Sequence, residues 1–384
     1  MVMSITITGD HLLSPLGNST EETLLAMRLG QTGVRPCTGW LPEGEETVMA
    51  SVFNEHWKQA WETYMQVKPS SDLTRLDRLI LLSVTQAANG RPLADKRTLF
   101  LLSTTKGNIA LLDTPPFPGG RTDENLYLWH TARKVARWFG NPNEPEVISH
   151  ACISGVAACI VAKRWIESGR YDRVVVIGAD EVSRFIVAGF HSLHALSPTP
   201  CRPFDAARNG LNLGEAVGTL ILEKTIRTPE NAITIAGGAI TNDANHISGP
   251  SRTGEGLYRA ILQALPEKER NELSFINAHG TATRFNDEME SIAFARAGLQ
   301  SIPVFSLKGY LGHTLGASGV VETILSARIL KDGILPISQG YTRCGVSVPL
   351  SIVTLPTALT GRQCLKTASG FGGCNAVIRL KKGE

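Results

Sequence analysis

No two of the seven cysteines (37, 152, 159, 201, 344, 364 and 374) stand at C-x-x-C spacing, and no pair has zinc-finger or haem-attachment spacing. An odd, scattered set excludes a disulfide framework and points to a reduced, cytoplasmic chain. Long apolar runs are missing too. None approaches the ~20 residues of a membrane-spanning helix, so no membrane is expected. The opening stretch SITITG (4–9) lacks the charged leader and apolar core of a signal peptide. Charge of one sign is equally scarce: 38 Lys plus Arg against 35 Asp plus Glu leaves +3 over 384 residues. With no like-charge block longer than a pair, nothing calls for nucleic acid. The motifs G-x-x-x-x-G-K-[ST], G-x-G-x-x-G after a strand, H-E-x-x-H and G-x-S-x-G are all absent. Their absence removes the main support for nucleotide-dependent, zinc-dependent and serine-hydrolase chemistry.

What is present is strand–helix alternation. Strand-like runs lie at 4–9, 98–104, 173–179, 218–224, 232–238, 275–280, 304–309 and 376–382. Helical apolar spacing marks 151–168, 252–265 and 316–332. This pattern predicts an α/β layered fold. The stretch 113–125 is the only strongly Pro/Gly-punctuated loop, so no clean linker divides the chain. An internal echo divides it instead. SGVAACIVAKRWIESG (154–169) lies on SGVVETILSARILKDG (318–333) without a gap, and each half opens with I-T-I and ends in a strand carrying basic residues. Residues 1–225 and 226–384 therefore read as two copies of one α/β unit, with their matched helix N-termini near a central seam.

Several residues carry chemistry in this frame. Cys152, in S-H-A-C-I-S-G, precedes a helix whose N-terminus favours a thiolate and a lowered pKa. A buried structural cysteine is the ordinary alternative, and Cys159 is read that way. His279, in FINAHGTAT, follows an apolar strand, at the kind of strand end where α/β sheets form binding crevices. His313 lies in a glycine-lined loop before another helix. His11, His56, His130, His191, His194 and His246 read as structural. Lys308 and Glu322 border the same region, although such residues usually mark a solvated face. The turn ASGFGGCNAVI (368–378) packs glycines around Phe371 and Asn375, and could offer main-chain N–H groups to an oxyanion. Arg75, Arg78 and Lys68 could form a basic surface for an acidic partner, although a plain solvated helix face is the ordinary reading.

Together these motifs resemble the β-ketoacyl-acyl carrier protein synthases, condensing enzymes of the thiolase superfamily. The resemblance runs nearly end to end, through ITITGDHLLSPLGNSTEE (5–22), Cys152, CRPFDAARNGLNLGEAVG (201–218), HGTATRFNDEME (279–290), SLKGYLGHTLGASG (306–319) and GFGGCN (370–375). It implies a thiolase-like fold of two pseudo-duplicated halves in an αβαβα arrangement. It makes Cys152 the acyl-carrying nucleophile, and His279 with His313 the histidine pair of the decarboxylating subclass. Lys308 is implied as an electrostatic support and Phe371 as a gate. The N–H groups of Cys152 and Phe371 are implied as the oxyanion hole. Thr281 and Thr283 match residues that bind a phosphopantetheine arm. Glu322, Asn277 and Asn375 match a structural cluster that in some members holds a monovalent cation.

The implied reaction condenses an acyl thioester with malonyl-acyl carrier protein, in fatty-acid or polyketide and polyene-type synthesis, with no cofactor or metal required. The implied partners are acyl carrier protein with its malonyl and acyl loads, and a dimer mate that is a second copy or a related subunit. Some positions depart from the pattern: H-A-C-I-S-G at the nucleophile, Ser369 two residues before Phe371, Cys374 after GFGG, and HGTAT. Two rival readings follow: a coenzyme-A-using thiolase or initiating synthase, and a non-catalytic chain-length-factor-like subunit.

Overall fold

The computed structural model describes residues 3–41, 47–65, 72–113 and 123–383. Most of the Pro/Gly stretch, and Lys68, lie outside these residues. Ten strands form the main sheet. They are β1 (Ser4–Leu13), β2 (Thr98–Ser103), β3 (Glu146–Ile148), β4 (Arg173–Asp180), β5 (Ala216–Thr225), β6 (Ile233–Asn242), β7 (Leu273–Asn277), β8 (Val304–Phe305), β9 (Gln363–Gly370) and β10 (Cys374–Lys382). Their order is β8-β7-β9-β10-β6-β1-β5-β4-β2-β3. Read outward from the middle, each side runs first, fifth, fourth, second, third in its own chain order. The two sides are joined by a single antiparallel residue pair, Thr6 opposite Thr234.

The helices around the sheet include α1 (Arg75–Ala88), α2 (Leu128–Trp138), α3 (Ser154–Glu167), α4 (Glu255–Ala264), α5 (Arg284–Arg296), α6 (Lys308–Leu311) and α7 (Ser318–Asp332), with further helices at Thr20–Arg28, His56–Met65 and Arg184–Ser192. On one outer face Leu79, Ile80 and Val84 of α1 pack with Phe100, Val175 and Ile221. On the other, Leu257 and Ile261 of α4 and Phe294 of α5 pack with Ile276, Leu365 and Val377. Between the inner faces, α3 and α7 bury Val156, Ile160, Val320 and Ile324 against strands of both sides. The result is the expected αβαβα layering. Among the described residues no helix is long and apolar enough to cross a membrane.

Two readings of the sequence change. The run 304–309 is strand only at Val304–Phe305, and Lys308 opens the helical turn α6. Leu307, Tyr310 and Leu311 stand at helical spacing and are all buried, so that period wins over the short apolar run. Strand β9, like the three-residue β3, has no counterpart among the expected strands. Its Gln363, Lys366 and Thr367 are wholly buried, so it carries no apolar alternation to read. Helix α1 carries a signal that pattern reading left unused, a capping box between Thr74 and Asp77.

The central helices touch through their matched glycines. A Cβ on Gly155 would lie 2.5 Å from Val320 N, and one on Gly319 would lie 2.2 Å from Val156 N. Both obstacles are backbone, which cannot swing aside. Gly319→Ala should therefore lower stability by about 3 kcal/mol in urea unfolding. Gly189→Ala, with open space on a helix, should be neutral or slightly stabilising.

Candidate active site

Cys152 sits on a strained corner between β3 and α3. Ala151 adopts φ 44°, a left-handed conformation that costs a non-glycine residue about 1 kcal/mol or more. Ser154 secures the corner: its Oγ accepts from His150 N at 2.7 Å and donates to the Ala151 carbonyl at 2.6 Å. Cys152 is thereby held at the start of the central helix, with only 9% of its surface exposed. The turn after β9 closes over it. A Cβ on Gly370 would lie 3.1 Å from Cys152 N, and the Phe371 main chain hydrogen-bonds the Cys152 side chain.

His279 follows β7 in a loop fixed by two buried acids of α5. Glu290 accepts from His279 N at 2.8 Å, Gly280 N at 2.7 Å and Thr367 Oγ1 at 2.9 Å. Asp287 accepts from Thr281 N at 3.0 Å and Phe204 N at 2.7 Å. Sequence reasoning did not single out either acid. The available signal was a pair of carboxylates spaced i, i+3 in the early turns of the helix after the HGTAT loop, where the helix N-terminus favours negative charge. Burial nonetheless raises the pKa of both, that of Asp287 to about 7.

His313 is held by its backbone. Its N donates to Asn212 O at 2.7 Å, and its carbonyl accepts from Gly214 N at 3.0 Å. Gly312 before it has φ 66°, and a Cβ there would lie 2.5 Å from Leu213 O. Only glycine fits this approach. The rings of His279 and His313 meet edge to face at 5.1 Å between centroids. One polar atom each of Cys152, His279 and His313 lies within 4.8 Å of the others. All three line a cavity of about 650 Å³.

Burial sets the electrostatics of this trio. It pushes the Cys152 thiol up to about 12, with the Lys308 charge the main influence the other way. This corrects the expected lowering by the helix N-terminus: desolvation of a thiolate outweighs it, and the resting form is the thiol. Both histidines are held well below 6.5, first by burial and then by Lys308, and so stay neutral. Lys308 Nζ donates to His279 Nδ1 at 3.3 Å, which puts the imidazole proton on Nε2. Neither ring nitrogen of His313 has a hydrogen-bond partner in the protein. Among the described residues this trio is also the one group spaced as metal ligands, but the adjacent Lys308 ammonium opposes a divalent ion there.

The remaining expected residues fall in different places. Thr281 and Thr283 line the cavity with hydroxyls 2.8 Å apart, and Phe371, 39% exposed, stacks on Phe190 at its mouth. His194 and His246 also stand in the wall, a position that local sequence did not signal. Glu322 reaches Lys308 at 2.9 Å, while its main-chain oxygen accepts from Asn277 Nδ2 at 3.2 Å. No described contact brings Asn375 to that group. Its amide bonds Ser369 Oγ at 2.8 Å and Gly373 O at 3.2 Å within its own hairpin. Arg75 is no free basic surface either, since it pairs with Glu181 at 2.5 Å and Glu215 at 3.0 Å.

Among known proteins, residues 129–227 match the family described as beta-ketoacyl synthase, N-terminal domain. Residues 232–342 match the beta-ketoacyl synthase, C-terminal domain. The 3-oxoacyl-[acyl-carrier-protein] synthase 2 of Rhizobium meliloti (strain 1021) is 33% identical over a 423-residue alignment covering 98% of each chain. The solved ishigamide ketosynthase/chain length factor matches all of both chains with a TM-score of 0.89 at 26% identity. A ketosynthase in complex with its chain length factor from Xenorhabdus doucetiae gives 0.84 at 27% identity, over 99% of this chain and 98% of that one.

Two pH dependences follow from the buried trio. Because the Cys152 thiol titrates only near 12, its alkylation rate, read by peptide mass spectrometry, should rise about tenfold per pH unit from pH 7 to 9 without a plateau. The histidines act on stability. Below 6.5 the unfolded chain binds protons that the folded imidazoles refuse, so stability falls as pH falls. Between pH 6.5 and 5.5 the native chain should lose about 2 kcal/mol more than a His279→Asn/His313→Asn variant in urea titrations.

Proposed function

The chain belongs to the β-ketoacyl synthase family, and from that premise we propose that it is a 3-oxoacyl-acyl carrier protein synthase with Cys152 as its nucleophile. The carrying observation is the meeting of Cys152, His279 and His313 within 4.8 Å in one cavity. In this reading a neutral His313, with both ring nitrogens free of protein partners, takes the thiol proton as Cys152 sulfur attacks an acyl-carrier thioester. His279 cannot take it, because its Nδ1 already accepts from Lys308. The main-chain N–H groups of Cys152 and Phe371 receive the oxyanion. The tetrahedral adduct collapses to acyl-Cys152, and the proton leaves with the carrier thiolate.

Malonyl-carrier protein then enters along Thr281 and Thr283, whose hydroxyls suit a phosphopantetheine amide. Imidazole N–H donors of His279 and His313 hold its thioester carbonyl. The C–C bond to the carboxylate breaks, CO₂ departs, and its electron pair becomes an enolate that these donors stabilise. Removing one such donor costs about 3–4 kcal/mol of barrier. The carbanion attacks acyl-Cys152, the C–S bond breaks, and the Cys152 thiolate takes up a proton from solvent as β-ketoacyl-carrier protein leaves. Neutral imidazoles suit this step, since each still carries one N–H to donate without placing a further charge in the buried site.

The repeated halves, 1–225 and 226–384, divide the labour in this reading: the first carries the nucleophile, the second the histidines, Lys308 and the Phe371 turn. We also assign the chain a cytoplasmic role beside acyl carrier protein, in a dimer with itself or a related ketosynthase subunit. The solved relatives found with chain length factors support such pairing. The intact trio weighs against a non-catalytic subunit. Cys374, 1% exposed and bonded to Phe371 O at 3.2 Å, does not line the cavity, which weighs against its serving as a second thiol for thiolase chemistry.

Intact-protein mass spectrometry after incubation with a panel of acyl-carrier thioesters tests the assignment. The native chain should gain one acyl group, and Cys152→Ala should gain none while keeping its fold and losing condensation. Condensation by Cys152→Ala at the native rate would overturn the nucleophile.

A further inference from the structure

Lys366 is a buried charge that this mechanism leaves without a task. It lies on β9 opposite Asn277 of β7, and its side chain has no exposed surface. Its Nζ is 3.3 Å from Asn277 O, 3.2 Å from Ala278 O and 2.6 Å from Glu322 Oε2. The last contact is a close ion pair rather than an aligned hydrogen bond. Two main-chain carbonyls and a carboxylate are the ligands of a hard metal cation, and an ammonium group sits among them.

The cluster that in some members of the family holds a monovalent ion therefore does not fit one in this chain. Lys366 Nζ already lies against all three oxygens, two as hydrogen-bond acceptors and one as an ion-pair partner, and Lys308 occupies the other oxygen of Glu322 at 2.9 Å. A metal ion would be a third cation around a single carboxylate, inside the protein. Asn375, the remaining expected ligand, is turned toward Ser369 and Gly373.

We propose that the Lys366 ammonium is a built-in replacement for a bound monovalent metal ion, and that it positions the reacting histidine. It does so by two routes. Through Glu322 it fixes Lys308, which holds His279 Nδ1 at 3.3 Å. Through the carbonyls of residues 277 and 278 it fixes the main chain that leads directly into His279. Burial lowers its pKa to about 8, with Glu322 the main support for the charge, so the ammonium form prevails at neutral pH. Lys366 is thus a positioning residue that touches no reacting atom.

The test compares the full-length native chain, Lys366→Ser and Lys366→Met in potassium, sodium and tetramethylammonium chlorides at one ionic strength. Melting temperature and condensation kinetics are read in each. The native chain should melt within about 1 °C in all three salts. Lys366→Ser, which opens an oxygen-lined hole, should melt at least about 5 °C higher in potassium or sodium than in tetramethylammonium. Its kcat should fall about tenfold or more in tetramethylammonium and recover with the metal ion, at little-changed KM. Lys366→Met, filled but uncharged, should be impaired in every salt.

Stabilisation of the native chain by more than about 3 °C in potassium or sodium overturns the proposal. So does a Lys366→Met variant that matches it in melting temperature and kcat, or a Lys366→Ser variant that folds without responding to cations. Should neither variant fold, elemental analysis of the native chain, passed from potassium into tetramethylammonium, decides the matter. Stoichiometric retained potassium refutes the idea, and none supports it. Only the kinetic arm rests on the assigned reaction, so failure of that assignment leaves the melting and elemental arms standing.

Discussion

The rest of the molecule depends on how closely α3 and α7 approach at Gly155 and Gly319. Backbone meets backbone there, so the spacing of the two central helices is set by van der Waals contact with no side chain between. The inner faces of both five-stranded sides pack on this pair, and so inherit its geometry. The same contact places the chemistry. Cys152 stands three residues before Gly155, and Glu322 three residues after Gly319. Nucleophile and buried carboxylate are thus referenced to one crossing point, although 170 positions separate them in the chain.

Dryness is the second condition. A half-exposed site would let water solvate Lys308, Lys366, Glu322 and the imidazoles separately, and their mutual effects would be screened. Buried, they form an ordered relay: Lys366 and Lys308 flank Glu322 and hold its carboxyl down near 2, and Lys308 fixes the tautomer of His279. The same burial keeps Cys152 protonated and the histidines neutral. A thiol beside a neutral base is a resting state that reacts only when an acyl donor is aligned, which limits stray alkylation and oxidation.

Much of this was legible in the sequence. Strand–helix alternation and the S-G-V echo carried the layered architecture, because apolar periodicity and glycine at a helix crossing leave direct marks. Cys152, His279, His313 and Lys308 were legible because glycine-lined loops and motif order advertise them, and the structure brings them together. What stayed hidden had one cause. Lys366, Glu290 and Asp287 are charges turned inward, and a charge in a sequence reads as surface until its partners are known. Strand β9 went unseen for the same reason, since Lys366 and Thr367 interrupt its apolar pattern. The pKa of Cys152 also escaped local reading. The helix N-terminus was visible in the sequence, but the depth of burial that outweighs it depends on the Phe371 hairpin, more than two hundred residues away.

The ten-stranded sheet ends in β8, two residues long, and β3, three residues long. Such stubs present few unpaired N–H and C=O groups, and long exposed edges are what recruit stray strands. The β8 rim is closed further, because Val304 N donates to Ser351 O at 2.8 Å and the Val304 carbonyl accepts from Val353 N at 3.0 Å, so a mate could add main-chain bonds only at the β3 rim. Its fit must be decided by the side chains around that rim, which makes association selective where a longer edge would have made it indiscriminate.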